Sequence, residues 1–165
     1  MAGFGDPHME TVDAAGLRLG IVGSRWRAGL VDHMIDRAQA AAKACGVTDV
    51  EVERVAGAVE LPLVAAALAR RCDAVVAIGV VIKGETQHFE YVCDSVTTGL
   101  TRIALDESTP VAHGVLTVHS LGQARDRAGL EDSIEDKGWA SAVAVLDAAL
   151  TLRRLGGVGS GASVS

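Results

Sequence analysis

Aromatic side chains are almost missing from this chain: two Trp, one Tyr and two Phe make up 3% of its 165 residues. Because 49% of the residues are nonetheless hydrophobic, the core has to be built from Val, Ala, Leu and Ile. Such a composition suits packed α/β layers better than a β-sandwich. Excess positive charge is also lacking. A formal charge of −6 and a pI near 5.3 argue against the basic face that nonspecific nucleic-acid binding requires. An anionic ligand must then be met by individual Arg or Lys side chains. Cysteine is limited to Cys45, Cys72 and Cys93, an odd number with no C-x-x-C pair. They read as buried free thiols of a reducing compartment, not as disulfides or metal ligands. No apolar run approaches the ~18 uninterrupted residues of a membrane span. Met1 to Glu10 lacks the charged start and apolar stretch of a signal peptide. A soluble, cytoplasmic, single-domain protein is the expectation, burying about two-thirds of the surface its unfolded chain exposes.

Strand-like and helix-like segments alternate along the chain. Leu17 to Gly23 is a short apolar strand, followed through Ser24-Arg25-Trp26-Arg27 by a helix with Leu30, Met34, Ala38, Ala41 and Cys45 on one face, stopped by Gly46. Val50 to Val55 interleaves Glu51, Glu53 and Arg54 and belongs at or near a sheet edge. A helix starting around Glu60 tolerates Pro62 in its first turn. Ala74 to Ile82 is a near-continuous apolar strand, buried on both faces as in parallel sheets. The next helix opens at His88 and carries Phe89, Val92, Val96, Leu100 and Ile103 as an amphipathic stripe. Val111 to Val118 is a fourth strand, Leu121 to Ala128 a short helix, and an acidic loop, Glu131 to Asp136, precedes a last helix with Trp139, Val143, Leu146 and Leu150 inward. This order predicts a three-layer α/β/α sandwich around a four-stranded parallel sheet, flavodoxin-like, over residues 13–155. A flexible arm (1–12) and a disordered Gly/Ser-rich tail (156–165) are expected to flank it.

In such folds ligands sit where strands end, so Ser24–Arg27, Ala56–Glu60, Ile82–His88 and His113–Val118 should share one rim. The passage from Ile82 through Gly84-Glu85-Thr86 to a helix start at His88 is a natural anion site, because unpaired N–H groups and the helix dipole converge there. His88 adds a proton shuttle near neutral pH. Together these suggest chemistry on a small phosphorylated molecule.

Taken singly, the other rim residues stay ambiguous. Trp26, in a polar turn, serves either as a core anchor or as a stacking surface, and Glu60 either complements a helix dipole or accepts ligand N–H and O–H groups. Arg127 is either an exposed helix-end cation or the forked clamp that a phosphate needs, with Asp126 beside it as a candidate to orient it. Lys137 opposes the dipole of the last helix, which points to a functional or interface role. His88, His113 and His119 show no metal-ligand spacing.

Gly57-Ala-Val-Glu-Leu-Pro62, Gly79-Val-Val-Ile-Lys-Gly-Glu-Thr-Gln-His-Phe-Glu-Tyr-Val92, Gly114-Val-Leu-Thr117, Asp126-Arg-Ala-Gly129 and Asp136-Lys-Gly138 occur in the order of the motifs of the 6,7-dimethyl-8-ribityllumazine synthase family. The stretch from about Leu17 to Leu155 resembles that family. The resemblance implies a transferase of riboflavin biosynthesis. It would condense 5-amino-6-(D-ribitylamino)uracil with 3,4-dihydroxy-2-butanone 4-phosphate and release phosphate and water, with no metal or organic cofactor.

By the same resemblance Trp26 stacks on the pyrimidine, Ala58, Val59 and Glu60 bind its ribityl side, and Val80, Val81 and Ile82 line its ring. Glu85 and Thr86 supply the phosphate loop, Arg127 closes on the phosphate and His88 is the proton donor. The family further implies a homopentamer with active sites between subunits, one subunit donating residue 113, in some members a sixty-subunit shell, and riboflavin synthase as a functional partner. Two features depart from the pattern: His113 stands where a phenylalanine or asparagine is expected, and Val118-His119-Ser120 replaces small polar residues. The segment Leu130 to Asp136 looks longer than in shell-forming members, which favours a lone pentamer. Two rivals remain. A non-catalytic flavin or lumazine carrier is suggested by His113. A flavodoxin-like nucleotide-binding domain is disfavoured by Gly23-Ser-Arg-Trp-Arg in place of a phosphate loop after the first strand.

Overall fold

The computed structural model describes residues 10–160, so most of the expected N-terminal arm and the last five residues lie outside it. Four strands, β1 (Arg18–Ser24), β2 (Asp49–Val55), β3 (Ala74–Ile82) and β4 (Val111–Val118), form one parallel sheet in the order β2-β1-β3-β4. Between and after them run α1 (Ala28–Ala44), α2 (Leu61–Ala69), α3 (His88–Glu107), α4 (Leu121–Arg127) and α5 (Lys137–Ser160). A single 3-10 turn, Ala58–Glu60, leads into α2.

Each placement follows from the side chains. β3 is buried over its first seven residues because it has neighbours on both edges and helices on both faces. β2 lies at one edge, where Glu51 can pair with Arg18 and Arg71. One face of the sheet packs Leu19, Ile21, Val76, Ile78 and Leu116 against α1 and α5. The other packs Val22, Val75, Ala77 and Val115 against α2 and α3. The expected three layers are thus present in a flavodoxin-like arrangement. Fully burying each aliphatic side chain contributes about 1.5–3 kcal/mol, so these two cores supply the main drive to fold.

α1 stops where expected: Gly46 takes φ +81°, a backbone state that costs glycine nothing and most residues about 1–2 kcal/mol. On α3, Val92, Val96 and Leu100 are buried as the stripe predicts. The last helix departs from expectation. The Gly/Ser-rich stretch that begins at Gly156 was expected to be disordered, yet α5 continues through it to Ser160; residues 161–165 lie outside the described residues. About five helical turns upstream, Lys137 to Leu155, already satisfy the nucleation cost, so a glycine at the helix end adds only about 1 kcal/mol of propensity penalty.

The chain passes outward from β1 to β2, then crosses back to β3 and on to β4. The reversal falls between β1 and β3. That is where an open α/β sheet leaves a crevice at its carboxyl ends.

Candidate active site

A cavity of about 430 Å³ opens at that crevice. β1 delivers Trp26 and Arg27 to it, β2 delivers Ala56 and Gly57, and the 3-10 turn delivers Ala58, Val59 and Glu60. β3 contributes Val80, Val81 and Ile82, and α3 contributes His88 and Val92. Eight of the residues expected at the rim are therefore brought together: Trp26, Ala58, Val59, Glu60, Val80, Val81, Ile82 and His88.

The local geometry explains each position. Trp26 is 71% exposed, so the indole is a surface left open above the crevice and not a core anchor. Gly57 lies beside it: a Cβ there would make ordinary contact with Trp26 Cδ1 at 3.5 Å and crowd Glu60 Oε2 at 3.3 Å. The Glu60 carboxylate turns back to accept from Gly57 N at 3.0 Å, a capping interaction that holds it at the cavity wall. His88 occupies the first position of α3 and is exposed. Its backbone N–H donates to Thr86 Oγ1 at 3.3 Å, which ties the loop from Lys83 to Gln87 onto the helix start. Glu85 and Thr86 are exposed on that loop, beside the cavity and not among its lining residues. Lys83 is paired with Glu90 at 3.4 Å.

Three expected residues lie elsewhere on the chain. His113, Arg127 and Lys137 line a second hollow of about 320 Å³ at the β4 edge, together with Val115, Leu116, Thr117, Val118 and Glu135. Arg127 is held at two points: Nη1 donates to Gln123 O at 2.9 Å, and Nε faces Glu135 Oε1 at 3.5 Å. Glu135, and not Asp126, is its acidic partner. Asp126 instead offers its backbone oxygen to Ile134 N and Glu135 N, at 2.7 and 2.9 Å, and so anchors the acidic loop. His113 is half-buried, and its Nε2 lies 2.9 Å from Thr97 Oγ1 on α3. Burial holds its imidazole below the ordinary histidine range, partly offset by its own backbone carbonyl and reinforced by the Lys137 ammonium. His119 packs edge-on against Phe89, ring centroids 6.0 Å apart, and among the described residues no metal-binding group of His, Cys, Asp or Glu occurs.

Sequence reasoning placed Arg27, Ala56 and Gly57 on the rim without giving them a role, and passed over Val92 as a cavity residue and Thr97 and Glu135 as partners. Val92 was within reach, standing one helical turn after His88. Arg27 carries a subtler mark: it adopts φ 56°, a left-handed state rare for a residue with a Cβ, at the turn into α1.

A parallel α/β sheet with an open crevice, an exposed indole and an exposed imidazole at its switch point is the arrangement of a small-molecule site in a flavodoxin-like fold. Comparison with known proteins is more specific. Residues 16–153 match the family model for 6,7-dimethyl-8-ribityllumazine synthase. The chain is 67% identical over 155 residues to the 6,7-dimethyl-8-ribityllumazine synthase of Salinispora arenicola, covering 94% of this chain and 93% of that one. It is 60% identical to the protein of the same name from Thermobifida fusca (94% and 91% covered) and 57% identical to that of Mycolicibacterium gilvum (94% and 98% covered). The chain belongs to the 6,7-dimethyl-8-ribityllumazine synthase family.

Among the described residues no helix is long and apolar enough to cross a membrane.

Proposed function

We propose that this chain condenses 5-amino-6-(D-ribitylamino)uracil with 3,4-dihydroxy-2-butanone 4-phosphate to 6,7-dimethyl-8-ribityllumazine, releasing phosphate and water in riboflavin biosynthesis. The observation that carries the reading is the switch-point cavity, which gathers Trp26, Ala58, Val59, Glu60, Val80, Val81, Ile82 and His88 around one opening. A flat pyrimidine stacks on the Trp26 indole, with the backbone of Val80, Val81 and Ile82 along its edge and its ribityl chain towards Ala58, Val59 and Glu60. The four-carbon phosphate docks at the adjoining loop, on Glu85 and Thr86. An amide of Glu85 serves the anion while its exposed carboxylate turns to solvent.

The reaction needs two reactants held together and protons moved in both directions. The amine attacks the ketone to give an imine with loss of one water, phosphate leaves by elimination, and ring closure expels a second water. His88, exposed beside the cavity, gives and takes the protons. Holding both reactants in register supplies up to ~7–11 kcal/mol in ideal cases.

The cavity of one chain does not contain Arg127, His113 or Lys137, which gather in the other hollow. In our reading a neighbouring copy in a cytoplasmic homopentamer presents that hollow to the cavity. It brings Arg127 to the phosphate and His113 to the pyrimidine, with Lys137 supporting, and riboflavin synthase would consume the product. The loop from Leu130 to Asp136 favours a lone pentamer over a sixty-subunit shell; light scattering that gives a shell-sized mass rejects that preference. Purified protein given both substrates should release phosphate and develop lumazine absorbance. Riboflavin binding without turnover would replace the enzyme with a carrier.

A further inference from the structure

His113 sits on edge strand β4, opposite Ala77 of β3. Its neighbour Gly114 faces α5, since a Cβ there would meet Ser141 Oγ at 3.5 Å. Alternation along a strand therefore turns His113 to the other face of the sheet, beneath α3. There Thr97 Oγ1 lies 2.9 Å from Nε2. The hydroxyl can donate to or accept from Nε2, so the bond holds the ring in either neutral tautomer. With Nε2 engaged on α3, the ring offers a ligand its flat face.

We propose that Thr97 is a positioning residue for this enzyme: its hydrogen bond to Nε2 fixes the plane of His113, so that the imidazole meets the pyrimidine as a stacking surface. The inference rests on the reading above, in which His113 reaches the substrate in a neighbouring protomer. It accounts for a histidine where a flat, uncharged side chain is expected. The charged groups around the ring are Lys137 at the start of α5, Glu135 and Asp136 in the preceding loop, and Arg127 at the end of α4; all but Asp136 share the smaller hollow with it, and Asp136 lines a larger groove with it along α5. Lys137 and the burial of the ring both disfavour imidazolium, as the direction of its titration reflects.

Thr97 is exposed, so Thr97→Val keeps shape and removes only the hydroxyl. Steady-state kinetics with the pyrimidine varied should show its KM rising roughly 2- to 10-fold in Thr97→Val, the range one hydrogen bond supports, with kcat nearly unmoved. Thr97→Ser should restore KM. In a His113→Ala background Thr97→Val should add nothing. The 15N resonances of His113 should report a hydrogen-bonded Nε2 in the parent protein and in Thr97→Ser, and lose that signature in Thr97→Val. An unchanged KM in Thr97→Val, an effect that persists without His113, or an Nε2 resonance that Thr97→Val leaves unmoved overturns the proposal. If His113→Ala itself leaves the pyrimidine KM unmoved, the placement of His113 at the substrate fails, and the proposal with it. If that variant raises KM while Thr97→Val does not, only the role of Thr97 fails.

Discussion

His88 is exposed, and its side chain adds little to the core, so its removal separates chemistry from folding. His88→Asn should lower kcat roughly 10²- to 10⁴-fold, the usual worth of a positioned acid–base group, with an unfolding midpoint like that of the parent protein. Stopped-flow lumazine absorbance and thermal denaturation check the two halves of that statement. His113 is the opposite case. Its folded-state pKa lies below the ordinary histidine value of 6.5 because the ring is half-buried near Lys137. Below pH 6.5 the unfolded chain binds a proton at this site that the folded chain resists, so stability is full above that value and declines as pH falls towards the folded pKa. Urea titrations of the parent and His113→Asn across this range should show the shallower acid-side loss in the variant.

Among the elements, the contact of α5 with α1 allows the sharpest test. Gly138, in the first turn of α5, lies so close to the Met34 carbonyl that an added methyl group would overlap it, and a backbone oxygen cannot rotate away. Gly138→Ala should cost about 1–3 kcal/mol, read as a lower urea midpoint with an unchanged slope. The same contact positions Lys137, and Arg37 secures it from α1 by pairing with Asp136 at 2.8 Å and lying 5.0 Å over the Trp139 ring. Of the helices, α3 was the most legible, since its stripe, its start at His88 and its strand partner all agree at the level of local pattern. The end of α5 was not. Glycine and serine lower helix propensity, but the preceding turns pack on α1 and β4 and carry the helix onward.

For the whole molecule, the telling fact is that one chain divides the expected site between a switch-point cavity and a hollow at the β4 edge. If neighbouring copies join these two, His88→Ala and Arg127→Ala chains, each inactive alone, should regain activity when co-assembled. Random mixing in a ring should restore about a quarter of the sites, because each requires an intact cavity beside an intact hollow. Activity that stays absent in mixed assemblies, with mixing verified by native mass spectrometry, would place both residues in one protomer's site.

The linear order of residues already specified the four strands, their parallel pairing, and the strand-to-helix junction that holds His88, because hydrophobic period and turn chemistry are local properties. Ala74–Ile82 and Val111–Val118 could be bounded to the residue for that reason. Position in space was another matter. That His113 bonds Thr97, that Glu135 and not Asp126 faces Arg127, and that Arg127 lies away from His88 all depend on which strand forms the sheet edge and how α4 and the acidic loop fold over it. Those contacts join segments that lie apart in sequence, and only packing chooses among the partners that spacing leaves open.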